Sequence, residues 1–273
     1  MIFLTIIFST LFLSTQLFPQ SVSFFGTPAP GDLMIGETEN ISSVFFDGKK
    51  IQSDKDIFVF GFDRDDKGTH TIKVLFNDGT NETKSFKLKK GNFKIERINS
   101  KKKQFSSPPE SELTRIERER KEMKKARRSV GKIDSAMFIS GFKRPVTGGR
   151  VTGVFGSQRI LNGKPKSPHD GFDIAAPKGT PVYAMADGIV IIAGNNFYYN
   201  GNFILIDHGL NLSSIYLHLN KMFVKKGDHV KKGEKIGEIG TTGRSTGPHL
   251  HWSVRWKNKR INPESVLKLG EFN

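Results

Sequence analysis

Two short stretches of this 273-residue chain have to meet in space if either is to do chemistry: Pro168-His169-Asp170-Gly171-Phe172-Asp173 and Gly247-Pro248-His249-Leu250-His251. That requirement constrains the fold more than any local propensity does. His249 and His251 are two residues apart, and in a strand residues i and i+2 share one face about 7 Å apart. Leu250 then faces the opposite way, into a core. The continuation Trp252-Ser253-Val254-Arg255-Trp256 keeps an alternation that suits a strand and not a helix.

The first stretch cannot be a straight strand. Residues i and i+4 would stand about 13 Å apart, whereas ligands of one metal ion lie about 2 Å from it. Pro168 and Gly171 argue against a helix. The backbone must therefore bend between His169 and Asp173, and Gly171 is the residue expected to permit the bend. A further histidine, His218, lies in Ile215-Tyr216-Leu217-His218-Leu219. Alternation places it on the face opposite Ile215, Leu217 and Leu219.

Each motif alone is weak. A lone His-x-His is common on surface strands, and a lone His-x-x-x-Asp says less. Their weight is joint: glycine and proline border both, where loops position site residues, and the set takes four of the chain's seven histidines. Catalytic zinc takes three His, Asp or Glu ligands and leaves one position open, so residue types alone favour a metal site.

The surrounding sequence reads as antiparallel β. Short runs such as Val182-Tyr183-Ala184, Gly188-Ile189-Val190-Ile191-Ile192 and Phe203-Ile204-Leu205-Ile206 are bounded by Gly, Asp and Asn. The near-repeat Lys225-Lys226-Gly227-Asp228 and Lys231-Lys232-Gly233-Glu234 is similar to lipoyl and biotinyl carrier domains, which would make the chain a carrier module. It lacks a modifiable lysine in a Met-flanked hairpin, and a carrier leaves the histidines unexplained.

Residues 140–265 resemble the catalytic domain of the lysostaphin/LytM-type zinc peptidases, which cleave peptide cross-links of bacterial peptidoglycan. The resemblance runs through Arg150-Val151-Thr152-Gly153-Val154-Phe155-Gly156, His169 to Pro177, Gly179-Thr180-Pro181-Val182-Tyr183-Ala184, Ala186-Asp187-Gly188 and Ile206-Asp207-His208-Gly209. It continues in Tyr216-Leu217-His218-Leu219, Gly227-Asp228-His229-Val230 and Gly240-Thr241-Thr242-Gly243-Arg244-Ser245-Thr246-Gly247-Pro248-His249-Leu250-His251. It implies one Zn2+ per catalytic domain, bound by His169, Asp173 and His251. It also implies that His218 and His249 flank the activated water as catalytic residues, without assigning which is the base. His208 and His229 belong to the pattern as structural residues, and His70 is expected to be a solvated strand residue. The alternative within the family is a non-cutting or autoinhibited wall-binding member.

The remaining chain is expected to supply three parts. Residues 1–18 are apolar and uncharged, which suits a signal peptide or N-terminal anchor over 1–23, although no basic n-region precedes it. Residues 24–98 read as a small β-sandwich of about seven strands, with turns at Asp47-Gly48 and Asn77-Asp78-Gly79-Thr80. Residues 99–135 read as a basic linker whose helix starts near Ser107-Pro108-Pro109-Glu110 and runs to Arg128. Its apolar stripe (Leu113, Ile116, Met123) is thin enough for a solvated helix, with Glu117 and Lys121 as an i,i+4 pair. The peptidase domain takes 136–273, and the fold class is mainly all-β.

Absence of cysteine excludes disulfides and thiolate ligands. The net charge of +16 admits nucleic-acid binding, but no such module is recognisable and nucleic acid is not expected as a partner. From residue 142 onward 19 Lys and Arg face 9 Asp and Glu, a field that suits a carboxylate-rich wall polymer. The expected partner is peptidoglycan, with a regulatory envelope protein as a further candidate and membrane anchorage by residues 1–18. The expected location is the periplasm or envelope of a Gram-negative bacterium.

Overall fold

The computed structural model of the protein describes residues 20–98 and 107–270. The apolar leader over 1–18 and the basic run 101–103 lie outside the described residues. No helix among the described residues is long and apolar enough to cross a membrane.

The N-terminal part is a sandwich of two four-stranded sheets, eight strands where about seven were expected. One sheet orders Ser23–Phe25, Leu33–Glu37, Ile57–Gly61 and Ser53–Asp54; the other orders Lys49–Ile51, Ile41–Phe46, Gly68–Phe76 and Asn81–Leu88. Phenylalanines hold the sheets together. Phe60 of the first sheet lies 5.6 Å from both Phe46 and Phe86 of the second, centroid to centroid, and such ring pairs add about 0.5–1.5 kcal/mol beyond area burial. Asp47 and Gly48 both have positive φ (48° and 73°), as a two-residue hairpin turn requires. His70 is not solvated as expected. Its ring stacks on Phe46 (5.7 Å, 4° between planes) and its Nδ1 meets Asp47 at 2.7 Å.

The C-terminal part is a ten-stranded antiparallel sheet. Its main path runs Arg150–Gly153, Phe172–Ala175, His249–Trp256, Leu212–Met222, Gly201–Asp207, Gly188–Phe197 and His229–Val230. The alternation read from the sequence holds in His249–Trp256: Leu250, Trp252, Val254 and Trp256 are all buried. The sandwich packs at the Trp256 end of this strand. Phe46 meets Trp256 at 5.6 Å, and Arg260 Nη2 pairs with Asp63 Oδ1 at 2.7 Å. One contact breaks the antiparallel rule, since Ile95–Ile98 pairs in parallel with Gln158–Leu161. Sequence patterning gives no hint of it.

The linker helix spans Glu110–Arg128, starting after Pro109 where the proline supplies the fixed φ of a first turn. It is not a solvated connector. Ile116 and Ala126 are buried, and Ala126 with Met123 packs on Phe197, Phe203, Leu205 and Ile215 of the large sheet. Leu113 stays exposed. Glu117 pairs with Arg120 (3.3 Å) in place of the anticipated Lys121. The stripe is thin because only one edge of the helix touches the sheet.

Candidate metal centre

Strand register brings the two distant motifs together. Phe172–Ala175 pairs with His249–Trp256 so that Asp173 lies directly opposite His251. Cross-strand partners stand only about 4.5–5.5 Å apart at Cβ, so their side chains meet without strain. His169 precedes the strand and arrives from a loop pinned by backbone bonds, its amide donating to the Ser157 carbonyl (3.0 Å) and its carbonyl accepting from the Gly156 amide (2.9 Å).

Three ligand atoms then converge. His169 Nε2 lies 3.1 Å from Asp173 Oδ1 and 3.1 Å from His251 Nδ1, which is itself 2.8 Å from Asp173 Oδ1. Ligands about 2 Å from a tetrahedral ion are roughly 3.3 Å from one another, so the triangle needs only a slight expansion. Protonation is set from outside it. His169 Nδ1 donates to the Val154 carbonyl (3.1 Å), which leaves the Nε2 lone pair facing inward. His251 Nε2 stands 3.6 Å from Asp170 Oδ1, leaving Nδ1 inward. Two imidazole lone pairs and a carboxylate aimed at one point are a donor set for a cation, and His169, Asp173 and His251 fit zinc in number and kind.

Burial pushes the Asp173 carboxyl up, but hydrogen bonds from His169 and His251 and their charges outweigh it and hold it well below the usual range. Burial pushes His251 down, and the bond and charge of Asp173, then Asp170, overcome that and raise it. Acid therefore replaces a cation here with protons on the same atoms.

Glycines make the room. A Cβ on Gly171 would fall 2.6 Å from His251 Nε2 and 2.7 Å from the Trp252 carbonyl; one on Gly153 would fall 2.5 Å from Asp173 Oδ2. Sequence reasoning gave Gly171 the job of bending the chain. Its φ is outside the left-handed region, and what it supplies is close approach.

The other two histidines flank the triangle. His218 and His249 ring centroids are 4.8 Å apart, and His218 is 6.4 Å from His251. His218 has φ of 64°, a sparsely populated region for a residue with a side chain. The bulge it makes sends Leu219 to the core side that holds Tyr216, not to the side of Ile215 and Leu217. Simple alternation therefore mispredicts Leu219 and misses why His218 faces the groove. Both rings donate Nδ1–H to backbone carbonyls, His218 to Thr242 (2.9 Å) and His249 to Gly247 (2.8 Å). Among the described residues neither Nε2 has a hydrogen-bond partner. Burial and the neighbouring His249 push His218 down to about 4 against the Thr242 bond, so it is neutral at pH 7. All five residues line one groove of about 1000 Å³.

Two neighbours had no part in the sequence reading. Asp170, inside the first motif, pairs with Arg255 at 3.3 Å. Arg159 sits 3.5 Å from both Asp173 Oδ2 and Glu96 Oε2; no sequence signal marks it, because Glu96 reaches it through the parallel strand pair. His208 and His229 lie apart from the cluster, as expected.

Comparison with known proteins finds relatives for the same part of the chain. Residues 167–263 match the model of Peptidase family M23. Peptidoglycan DD-endopeptidase ShyA of Vibrio cholerae is 47% identical over 96 residues, covering 35% of this chain and 22% of that protein. ShyB of the same organism is 41% identical over 136 residues, 48% and 28% respectively. The chain thus spans about a quarter of the length of these curated relatives. A solved structure of a peptidase M23 from Pseudomonas aeruginosa is 29% identical, with a TM-score of 0.62 over 89% of this chain and 96% of that one. Residues 167–263 of the chain thus carry a Peptidase family M23 domain, in line with the resemblance read from the sequence.

Proposed function

We propose that the protein is an exported, zinc-dependent endopeptidase that hydrolyses peptide cross-links of peptidoglycan in a bacterial envelope. The observation that carries this reading is the triangle of inward lone pairs at His169, Asp173 and His251, set beside two imidazoles whose Nε2 atoms have no hydrogen-bond partner among the described residues. His169, Asp173 and His251 would hold the zinc. Zinc so held supplies Lewis-acid polarisation of a carbonyl and lowers the pKa of water toward about 7.

The chain's own residues do the rest. The Val154 carbonyl and Asp170 keep the proton on the outer nitrogen of each ligand imidazole. The His218 and His249 pair works at Nε2: one neutral imidazole takes a proton there from the attacking water and, as the imidazolium so formed, passes that same proton to the leaving amine, while the other orients the water by accepting a hydrogen bond at its own Nε2. Their backbone anchors at Thr242 and Gly247 fix ring orientation and so limit the reorganisation needed. Peptidoglycan as substrate is supported by the names of the relatives, and the net charge of +16 favours retention on an anionic polymer. The apolar leader supports export.

The test is digestion of purified sacculi by the full chain, read by mass spectrometry of the released muropeptides, with a chelator and a His251→Ala control. Conversion of cross-linked dimers to monomers that stops with chelator and returns with zinc is the expected result. Intact dimers in the presence of folded, zinc-loaded protein would sink the reading.

A further inference from the structure

The face of the large sheet that carries the histidines continues beyond them, and the linker helix covers it there without filling it. A cavity of about 590 Å³ remains between helix and sheet. Arg127 and Lys124 of the helix line it, opposite Arg255, Lys257, Ser213 and Ser253 of the sheet. Its one carboxylate is already engaged: Glu119 accepts from Arg115 Nε (2.8 Å) and from the Tyr198 amide (2.7 Å). The cavity therefore holds a surplus of positive charge in a partly dehydrated space, where an uncompensated charge is costly.

Arg127 is where that surplus is least relieved. Among the described residues no carboxylate stands within ion-pair reach of its guanidinium. The charges that act on it are those of Arg255 and Asp170, and Asp170 is already bound to Arg255 at 3.3 Å. Burial, then the charge of Arg255, push Arg127 down to about 10. Ser213 and Ser253, both more than nine-tenths buried, place hydroxyls on the sheet wall of the same space. Hydroxyls and guanidinium groups together make a site for a planar anion.

The cavity also adjoins the groove. Tyr199 and Asn200 line both, and the Arg255–Asp170 pair joins the cavity wall to the His251 side of the metal centre. Distance sets what can bridge them. Ser253 and Arg255 follow His251 on one strand face, so they lie roughly 7 Å and 13 Å along it. An extended peptide advances about 3.4 Å per residue, which puts an anion in the cavity two to four residues from the bond over the metal centre.

We infer that this cavity is an anion subsite of the groove, in which Arg127 binds a carboxylate of the peptide substrate two to four residues from the bond that is cut. The assignment rests on the peptidase reading above for the identity of the ligand. A helix-borne arginine then makes the linker part of the substrate site, and selectivity for free over amidated carboxylates follows from charge.

Equilibrium binding tests it without requiring turnover. The probe is the stem tetrapeptide isolated from sacculi, alongside the same peptide with its carboxylates amidated, titrated calorimetrically into the full chain. The wild-type protein is expected to bind the carboxylate form about tenfold more tightly than the amide. Arg127→Gln should bind both forms alike, and Arg127→Lys should keep part of the difference. Equal affinity of the wild-type protein for both forms, which needs no variant to fold, overturns the subsite; so does a difference that survives in Arg127→Gln. A chain that selects the carboxylate form yet leaves sacculi intact refutes the peptidase reading alone. Cleavage of sacculi without carboxylate selectivity refutes the subsite alone.

Discussion

His208, just past the end of one strand of the large sheet, and His251, within another, both belong to polar networks, and the networks end differently. His208 donates from Nδ1 to the Asp187 carbonyl (2.7 Å), and its Nε2 meets Ser214 Oγ (2.7 Å). Ser214 shares a hydrogen bond with the Tyr216 hydroxyl (3.0 Å), which accepts from the Met185 amide (2.9 Å). Every member finds its partner inside the chain. Around His251 the lone pairs of two imidazoles and a carboxylate point at one another, and only a cation or shared protons can satisfy them. A closed network locks a fold, whereas an open one marks a place for something that the chain does not contain.

The comparison can be broken by experiment. His251→Ala should reduce sacculus cleavage by at least about a thousandfold and bring bound zinc, measured by elemental analysis, close to zero. His249→Ala should lower turnover by about 10²- to 10⁴-fold while zinc content stays near wild type; a parallel loss of zinc would make His249 part of the open network. His208→Ala should lower unfolding free energy by about 2–4 kcal/mol, through a cavity and an orphaned Ser214 hydroxyl. Activity per folded, zinc-loaded molecule should change little, and a large change would remove the distinction between the two networks.

The smallest effect is in pH. Burial, against the Asp187 hydrogen bond and charge, pushes His208 down to about 4. Its folded pKa lies below the unfolded value near 6.5, so the unfolded chain takes the proton first. Stability from this residue is complete above about pH 6.5 and is lost as pH falls toward 4, by about 2 kcal/mol between pH 6.5 and 5. Denaturant titrations across that range should show the slope, and His208→Gln should flatten it. An unchanged slope would place the acid sensitivity elsewhere.

What the sequence made legible was local. Alternation across His249–Trp256 gave the shared face of His249 and His251 and the burial of Leu250. Helix signals gave Glu110–Arg128, and Asp-Gly gave a hairpin turn. What it hid depends on contacts between distant segments. The bulge at His218 exists because neighbouring strands shift register there. Gly171 is needed because His251 and Trp252 arrive beside it. The linker helix docks along a stripe too thin to identify by periodicity, and Ile95–Ile98 pairs with a strand that lies beyond the helix in sequence. Arg159 and Asp170 acquire meaning only once Glu96 and Arg255 have been brought to them.

The His249–Trp256 strand occupies the middle of its sheet, between Phe172–Ala175 and Leu212–Met222. A chain still emerging from the ribosome, or halted before residue 249, has both neighbours but nothing to join them. Its exposed edges would be unpaired, and His169 and Asp173 would have no third companion. Synthesis order thus acts as a timer. The sandwich can close early, but the three candidate ligands are complete only with a strand delivered some 80 residues after the first of them, so the candidate metal centre is among the last features to mature.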